Sequence, residues 1–313
     1  SPSSSLSLKK DNTLSLDITG QFSGITPLGN NRYAVVHDSY KGGGIVFVNF
    51  KVGSYYTLSN VSYEIPKGTS EATNSRSPEG IVYFPDSQTL FVSAEGDQEI
   101  LEYNMDGEPT GRRLEIPDDM KRTYTQGNFG FETLAYNDNT GLFWTTTEHE
   151  IKRDEEYDGQ NRMLLRLQSF GKDFKPAKRY FYLTDAPQKN KDDASIYAFG
   201  VPDILALDNG KLLVIEREAF IPNGNILEMA GETVVYIKIY EVDPVGDKAG
   251  ILTKRMVYEK TYISALFYQF TNYEGICLGP VVNGNQTVLT ISDSQDHYYD
   301  VIVDKIGVYT LKY

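Results

Sequence analysis

The sequence predicts an all-β chain: one β-propeller of five four-stranded blades, with an N-terminal strand completing the last blade. Three observations lead there. A pattern recurs five times, an acid or small residue followed by an apolar run, a turn, and a β-run ending in a second acid. Hairpin chemistry sits at the same place in each copy. Aromatic content favours strands, with 23 Tyr and 15 Phe against one Trp, and no segment carries a capped 3.6-residue apolar stripe.

The copies run from Ser23-Gly24-Ile25 to His37-Asp38, from Glu79-Gly80-Ile81 to Glu95, from Glu132-Thr133-Leu134 to Glu148, from Asp203-Ile204-Leu205 to Glu216, and from Glu274-Gly275-Ile276 to Asp293. Their turns are Gly29-Asn30-Asn31, Asp86-Ser87, Asn139-Thr140-Gly141, Asp208-Asn209-Gly210 and Asn283-Gly284-Asn285. Two more strand-like runs follow in each unit: Glu99–Tyr103 with Arg113–Ile116, Met163–Leu167 with Lys178–Leu183, and Val234–Val242 with Arg255–Tyr258. The last unit stops after Gly307–Leu311, and Leu14–Ile18 supplies the missing fourth strand, a closure that removes open sheet edges. Residues 1–10 read as a flexible polar leader and 11–313 as one domain. A sixth, degenerate blade inside the two longer repeats is the competing count.

Acidic residues outnumber basic ones 43 to 30, a net charge of −13. That argues against a nucleic-acid backbone or an anionic membrane as partner, because both demand a positive surface, and leaves room for a local cationic pocket or a bound metal. One cysteine, Cys277, excludes an internal disulfide framework and a four-cysteine zinc site. No apolar run approaches the roughly 20 residues a membrane-spanning helix needs. The leader Ser1-Pro2-Ser3-Ser4-Ser5 reads as the stub left by a removed signal segment, giving a secreted, periplasmic or surface-tethered monomer, a lipoprotein in the last case.

The first acid of each copy precedes the innermost strand and the second ends the next strand. Antiparallel pairing therefore brings both sets to one mouth of the channel. The first set is Glu79, Glu132, Asp203 and Glu274; the second is Asp38, Glu95, Glu148, Glu216 and Asp293. The long connections, such as Pro117–Gly130, Pro187–Val201 and Ala219–Glu232, fall on the same face, where sites are usually built. Crowded carboxylates raise one another's pKa or require a cation, and calcium suits a roomy oxygen-lined mouth. Glu79, Glu132, Asp203, Glu274, Glu95 and Glu148 are the expected metal ligands. Two bland alternatives stand beside that reading: the acids pair with nearby Arg and Lys, or they accept backbone amides at blade junctions. His37 and His149 adjoin second-set acids and His297 follows closely, so imidazole is available near neutral pH.

Ser77-Pro78-Glu79-Gly80-Ile81 and Asn128-Phe129-Gly130-Phe131-Glu132-Thr133-Leu134 resemble the phytase-like domain family, described as having esterase-like activity of phytase. Val214-Ile215-Glu216-Arg217, Asn272-Tyr273-Glu274-Gly275-Ile276 and Ile291-Ser292-Asp293 fit it as well. Two copies depart from the pattern: Val201-Pro202-Asp203-Ile204 replaces an Asn-x-Glu-Gly form, and Ser23 stands where an acid is expected. The resemblance implies a propeller with a phosphoesterase site of repeated acids. The first functional expectation is therefore a calcium-dependent phosphoesterase acting on a small phosphoester. Glu79, Glu132, Glu216, Glu274 and Asp293 would be ligands or bases, and Arg76, Arg162, Arg217 and Lys152, with His37 and His149, would hold substrate. The alternative is a non-catalytic propeller binding a carbohydrate, peptide or protein through loop aromatics such as Tyr197 and Phe199. A glycoside hydrolase with paired carboxylates comes third. There is no Gly-x-Ser-x-Gly nucleophile elbow.

Overall fold

The computed structural model describes residues 6–16, 21–37, 44–68, 76–121, 130–131, 133–148, 159–244, 250–263, 272–293 and 305–313, the side chains of Ile226, Met229, Ala230, Asn272 and Asp293 excepted. Strand β1 (Ser7–Ser15) belongs to the last sheet. The first sheet is β2 (Phe22–Gly29), β3 (Arg32–His37), β4 (Gly44–Val52) and β5 (Leu58–Glu64). The second is β6 (Pro78–Phe84), β7 (Thr89–Ala94), β8 (Ile100–Tyr103) and β9 (Pro109–Arg113); the third is β10 (Ala135–Asn137), β11 (Leu142–Thr145), β12 (Leu164–Phe170) and β13 (Pro176–Leu183). The fourth holds five strands: β14 (Ala194–Gly200), β15 (Ile204–Ala206), β16 (Leu212–Pro222), β17 (Val234–Val242) and β18 (Lys254–Ile263). The fifth is β19 (Asn272–Val282), β20 (Asn285–Asp293) and β21 (Lys305–Lys312), completed by β1 antiparallel to β21. All pairings within these sheets are antiparallel, so the fold is all-β and propeller-like.

Burial explains the strand patterns. A strand covered on both faces by neighbouring sheets reads as a continuous apolar run, and β7 (TLFVSA) is buried throughout. An outermost strand faces water, and β9 (PTGRR) is exposed throughout. The expected strand Arg113–Ile116 misses it for that reason: Leu114 and Ile116 are buried, but they follow the strand and pack below it. Asn283 and Gly284, at φ 52° and 77°, make the left-handed pair that a tight β19–β20 hairpin requires.

Five apolar clusters lie between successive sheets. One joins the first and second, others the second and third, third and fourth, and fourth and fifth, and one joins the fifth back to the first. Contact is closest where glycine removes a side chain. A Cβ on Gly24 would stand 2.8 Å from the Glu79 carbonyl oxygen, and one on Gly275 would run into the Ser23 carbonyl.

Three expectations need correction. Pairing at the N-terminus begins at Ser7, so residues 7–10 belong to the sheet and not to a leader; buried Leu6 and Leu8 hold them there. Of the expected closing run Leu14–Ile18, Leu14 and Ser15 are in β1 and Leu16 follows it, while Asp17 and Ile18 lie outside the described residues. The connections Pro187–Val201 and Ala219–Glu232 are also more than loops. Ala194–Gly200 forms β14 and pairs with the far half of β16, from Arg217 to Pro222. Alternation in that segment turns Ile196 and Ala198 onto the core between the fourth and fifth sheets. A seven-residue helix, α1 (Ile226–Glu232), follows, capped where Asn225 accepts the amides of Leu227 and Glu228. No helix among the described residues is long and apolar enough to cross a membrane.

Candidate functional site

Antiparallel pairing sets the start of each first strand beside the end of the next. Phe22 faces His37, Pro78 faces Ala94, Phe131 faces Thr147, and Asn272 faces Asp293. In the fourth sheet the Ile215 amide donates to the Asp203 carbonyl at 3.2 Å. The described acid-bearing junctions thus share one end of the strands. Just inside, Ile25, Ile81, Leu134, Leu205 and Ile276, one from each sheet, form an aliphatic layer. They line a cavity of about 220 Å³ that runs toward Pro85, Asp138 and Asp208 at the opposite end.

Arg217 links three of these junctions. It lies on β16, and alternation along that strand turns it to one face and Glu216 to the other. Its guanidinium donates to Glu274 of the fifth sheet at 2.7 Å and, more closely still, to Glu148 of the third. The three side chains are 3 %, 12 % and 6 % exposed, so this is a buried ion group joining three sheets. The positive charge that crowded carboxylates call for is here supplied by the chain itself. Gly200 permits the approach, since a Cβ there would stand 2.7 Å from the Glu148 side chain and carbonyl.

Asp203 is buried and acts as a clamp between sheets. Its two oxygens accept the amides of Leu134 at 3.3 Å and Ile276 at 3.0 Å. Burial pushes its carboxyl up, and Glu274 adds to that push; amide donors from Ile276, Ile204 and Leu134 oppose it. Asp203, expected as a metal ligand, takes the junction role instead. Cys277 lies next to Ile276, and burial raises its thiol, so it is no reactive nucleophile.

Glu216, expected among the mouth acids, points between the third and fourth sheets. It accepts from the Tyr182 hydroxyl at 2.5 Å, the Asp185 amide at 2.7 Å and the Lys254 ammonium at 2.6 Å. Asp185 extends the network to Lys238 and Lys254, both at 2.8 Å, and to the Tyr240 hydroxyl. Burial works against the Asp185 charge, yet these partners hold its carboxyl far below the usual range. Arg76, expected to hold substrate, is buried and engaged within the second sheet by Asp97 at 2.5 Å, the Tyr103 hydroxyl at 2.7 Å and the Glu99 carbonyl at 2.9 Å. His37 is buried beside Phe22, ring centroids 6.1 Å apart, and burial lowers it to about 4. It is neutral near pH 7 and does not present its ring to solvent.

Glu79 and Glu95 are half-buried at the junction of β6 and β7, and Arg162 is half-buried just before β12. Asp38, Glu132, His149, Lys152 and His297, and the Asp293 side chain, lie outside the described residues. Among the described residues no group of three or more His, Cys, Asp or Glu side chains is arranged to hold a metal ion. The donor chemistry gives the reason: Glu148 and Glu274 are taken by Arg217, and Asp203 by backbone amides. These three do not fit a calcium cage as they stand.

A family model described as "Phytase-like: Esterase-like activity of phytase" matches residues 18–295. No curated protein sequence matches the chain. Among solved structures, the catalytic domain of the Coprinopsis cinerea GH62 alpha-L-arabinofuranosidase is similar, with 13 % identity, 98 % of each chain covered and a TM-score of 0.49. The endo-arabinase from Bacteroides thetaiotaomicron has 12 % identity over 99 % of this chain and 98 % of its own, at 0.46. A DUF4221 family member from Bacteroides vulgatus has 10 % identity over 98 % of each chain, at 0.43. Likenesses this distant carry no functional argument.

Proposed function

The chain belongs to the phytase-like family, and from that premise we propose that it hydrolyses a small phosphoester at the mouth built around Glu148, Arg217 and Glu274. The scaffold in this reading is a closed propeller of five blades, supported by the five inter-sheet cores. One observation carries the chemistry: a buried guanidinium gripped by two carboxylates from the flanking sheets, at the end of the strands where the acids gather. Arg217 is suited to a phosphoryl group's oxygens through its planar fork of donors. When such a group displaces one carboxylate from the guanidinium, that carboxylate is left beside the reacting phosphorus and free to act as base. It takes a proton from the attacking water as the water oxygen bonds to phosphorus. The ester P–O bond breaks, and the proton passes to the leaving oxygen.

The test is phosphate release from aryl phosphates by the wild type, Arg217→Met, Glu148→Gln and Glu274→Gln, with and without chelator. Loss of one transition-state donor costs about 10²–10³ in kcat, so Arg217→Met falls by at least that factor. Activity unchanged in all three variants, or absent from the wild type with every phosphoester, overturns the proposal. Glycoside hydrolysis is the second reading. The shared guanidinium favours it by drawing Glu148 and Glu274 together, as paired carboxylates at a glycosidic bond must be. Turnover of aryl glycosides in place of aryl phosphates selects it.

A further inference from the structure

Away from the mouth, the junction of the fourth and fifth sheets gathers lysines and tyrosines. Tyr262 of β18 and Tyr273 of β19 meet hydroxyl to hydroxyl at 2.6 Å, and Lys10 of β1 donates to both, at 2.8 and 3.0 Å. Tyr258 and Tyr309 lie beside this pair, their rings 5.1 Å apart and edge-on. The Lys260 ammonium stands 5.9 Å from the centre of the Tyr262 ring. Lys305 is half-buried at the start of β21, where burial lowers its pKa; Tyr262 opposes that shift and the charge of Lys10 adds to it.

None of Lys10, Lys260 and Lys305 forms an ion pair with a carboxylate among the described residues. The chain has 43 acids to 30 bases, and several of its buried or half-buried cations are matched: Arg217 by two glutamates, Lys254 by Asp185 and Glu216, Arg76 by Asp97. Half-buried Lys189 also stands without a carboxylate, but alone and over the Phe220 ring. Partly buried ammonium groups near one another are costly without a counter-charge. The cluster is short of an anion. It is also open to one, because Lys10, Tyr258 and Lys305 are half-buried and Lys260 is exposed. Tyr273 and Glu274 are successive residues of β19 at a register shift, and their partners differ: Tyr273 meets Tyr262 and Lys10, whereas Glu274 accepts from Arg217.

We propose that Lys10, Lys260 and Lys305, with the hydroxyls of Tyr258 and Tyr262, form a binding site for a phosphate-type oxyanion, distinct from the mouth. Ammonium groups reaching in from three strands, β1, β18 and β21, suit a tetrahedral group with oxygens on several sides. The phenols complete the shell through their hydroxyls, and burial raises Tyr258, so it keeps its proton. The proposal does not depend on hydrolysis at the mouth.

The test is calorimetric titration of the full chain with inorganic phosphate near neutral pH, with sulfate and chloride as comparison ions. Saturable binding of one phosphate is expected, with affinity reduced about tenfold or more in Lys10→Met/Lys305→Met, the scale of a lost charge-assisted contact. Lys260→Gln, on an exposed side chain that folding does not need, weakens binding by a smaller factor. It therefore keeps the test valid if the double variant fails to fold. No binding at about 10 mM phosphate, a concentration above a weak millimolar Kd, overturns the site. So does binding unchanged by Lys260→Gln and the double variant. Binding lost in Arg217→Met but retained in the lysine variants assigns the phosphate to the mouth, overturning this site while leaving the proposed hydrolysis intact.

Discussion

Replacing Arg217 with methionine removes the charge that holds three sheets together at the mouth, and the structure sets the size of the effect. The guanidinium is 3 % exposed, and its partners Glu148 and Glu274 are 6 % and 12 % exposed. Breaking a buried pair by deleting one partner costs about 3–5 kcal/mol, because the other charge stays buried and unmatched. Here two carboxylates are left facing each other, so the upper part of that range applies. For a chain of this size each kcal/mol moves Tm by about 2 °C, giving a fall of roughly 8–10 °C. The measurement is thermal and urea unfolding of the wild type, Arg217→Met, and Arg217→Met with Glu148→Gln and Glu274→Gln. Removing all three charges relieves the repulsion, so the triple variant recovers most of the loss. A single variant within about 1 kcal/mol of the wild type, the range of an exposed pair, refutes the reasoning. A triple variant less stable than the single does the same.

Acid stability has two windows. Burial lowers His37 to about 4 from 6.5, so the unfolded chain binds the extra proton. Its contribution is complete above about pH 6.5 and disappears toward pH 4, roughly 3 kcal/mol in all; His37→Phe flattens that part of a urea-midpoint profile, and an unchanged slope counts against the assignment. Asp185 is held low in the folded state, so its contribution is present above about pH 4 and goes as pH falls further. Lys254→Met reduces that lower-window loss in the same profile. Gly275→Ala drives a methyl into the Ser23 carbonyl and destabilises the chain by about 1–3 kcal/mol, the cost of overpacking; Gly284→Ala, in an open left-handed turn, is the control for backbone strain alone. Because Glu148 and Glu274 are taken by Arg217, phosphoester turnover survives chelator with less than about a twofold loss, a change no larger than a few tenths of a kcal/mol. A tenfold loss restored by calcium places a cation at the mouth.

Much of the fold was legible in the amino-acid order because hairpin turns and strand alternation are local. Asn283-Gly284 predicts its own conformation, and Val234–Val242 forms β17 at the expected bounds. What failed depends on distant contacts. Ala194–Gly200 is a strand because β16 runs past the end of the blade and offers it an edge, which nothing within the segment announces. The exposed β9 carries no apolar signal, and the eye slides to Leu114 and Ile116 instead. Lys10 fell inside an expected leader, so its place beside Tyr262 and Tyr273, far off in sequence, could not be read at all.

The mouth was legible in position and misread in charge balance, and one neglected local rule accounts for part of that. Glu216 and Arg217 are adjacent in a strand, so they cannot both face the channel. Choosing Arg217 for the channel sends Glu216 to Tyr182, Asp185 and Lys254, where it is found. In β19 a register shift at Tyr273–Gly275 interrupts parity; there Tyr273 meets Tyr262 and Glu274 accepts from Arg217. The duplicated acid position has therefore been divided among different tasks. In the fifth repeat the acid grips the guanidinium, and in the fourth, where Asp203 replaces the longer Glu, the carboxylate takes the Leu134 and Ile276 amides. At Glu148, Asp203 and Glu274, one arginine and two inter-sheet amides answer the carboxylates, and they do so with the contacts that lock neighbouring sheets together.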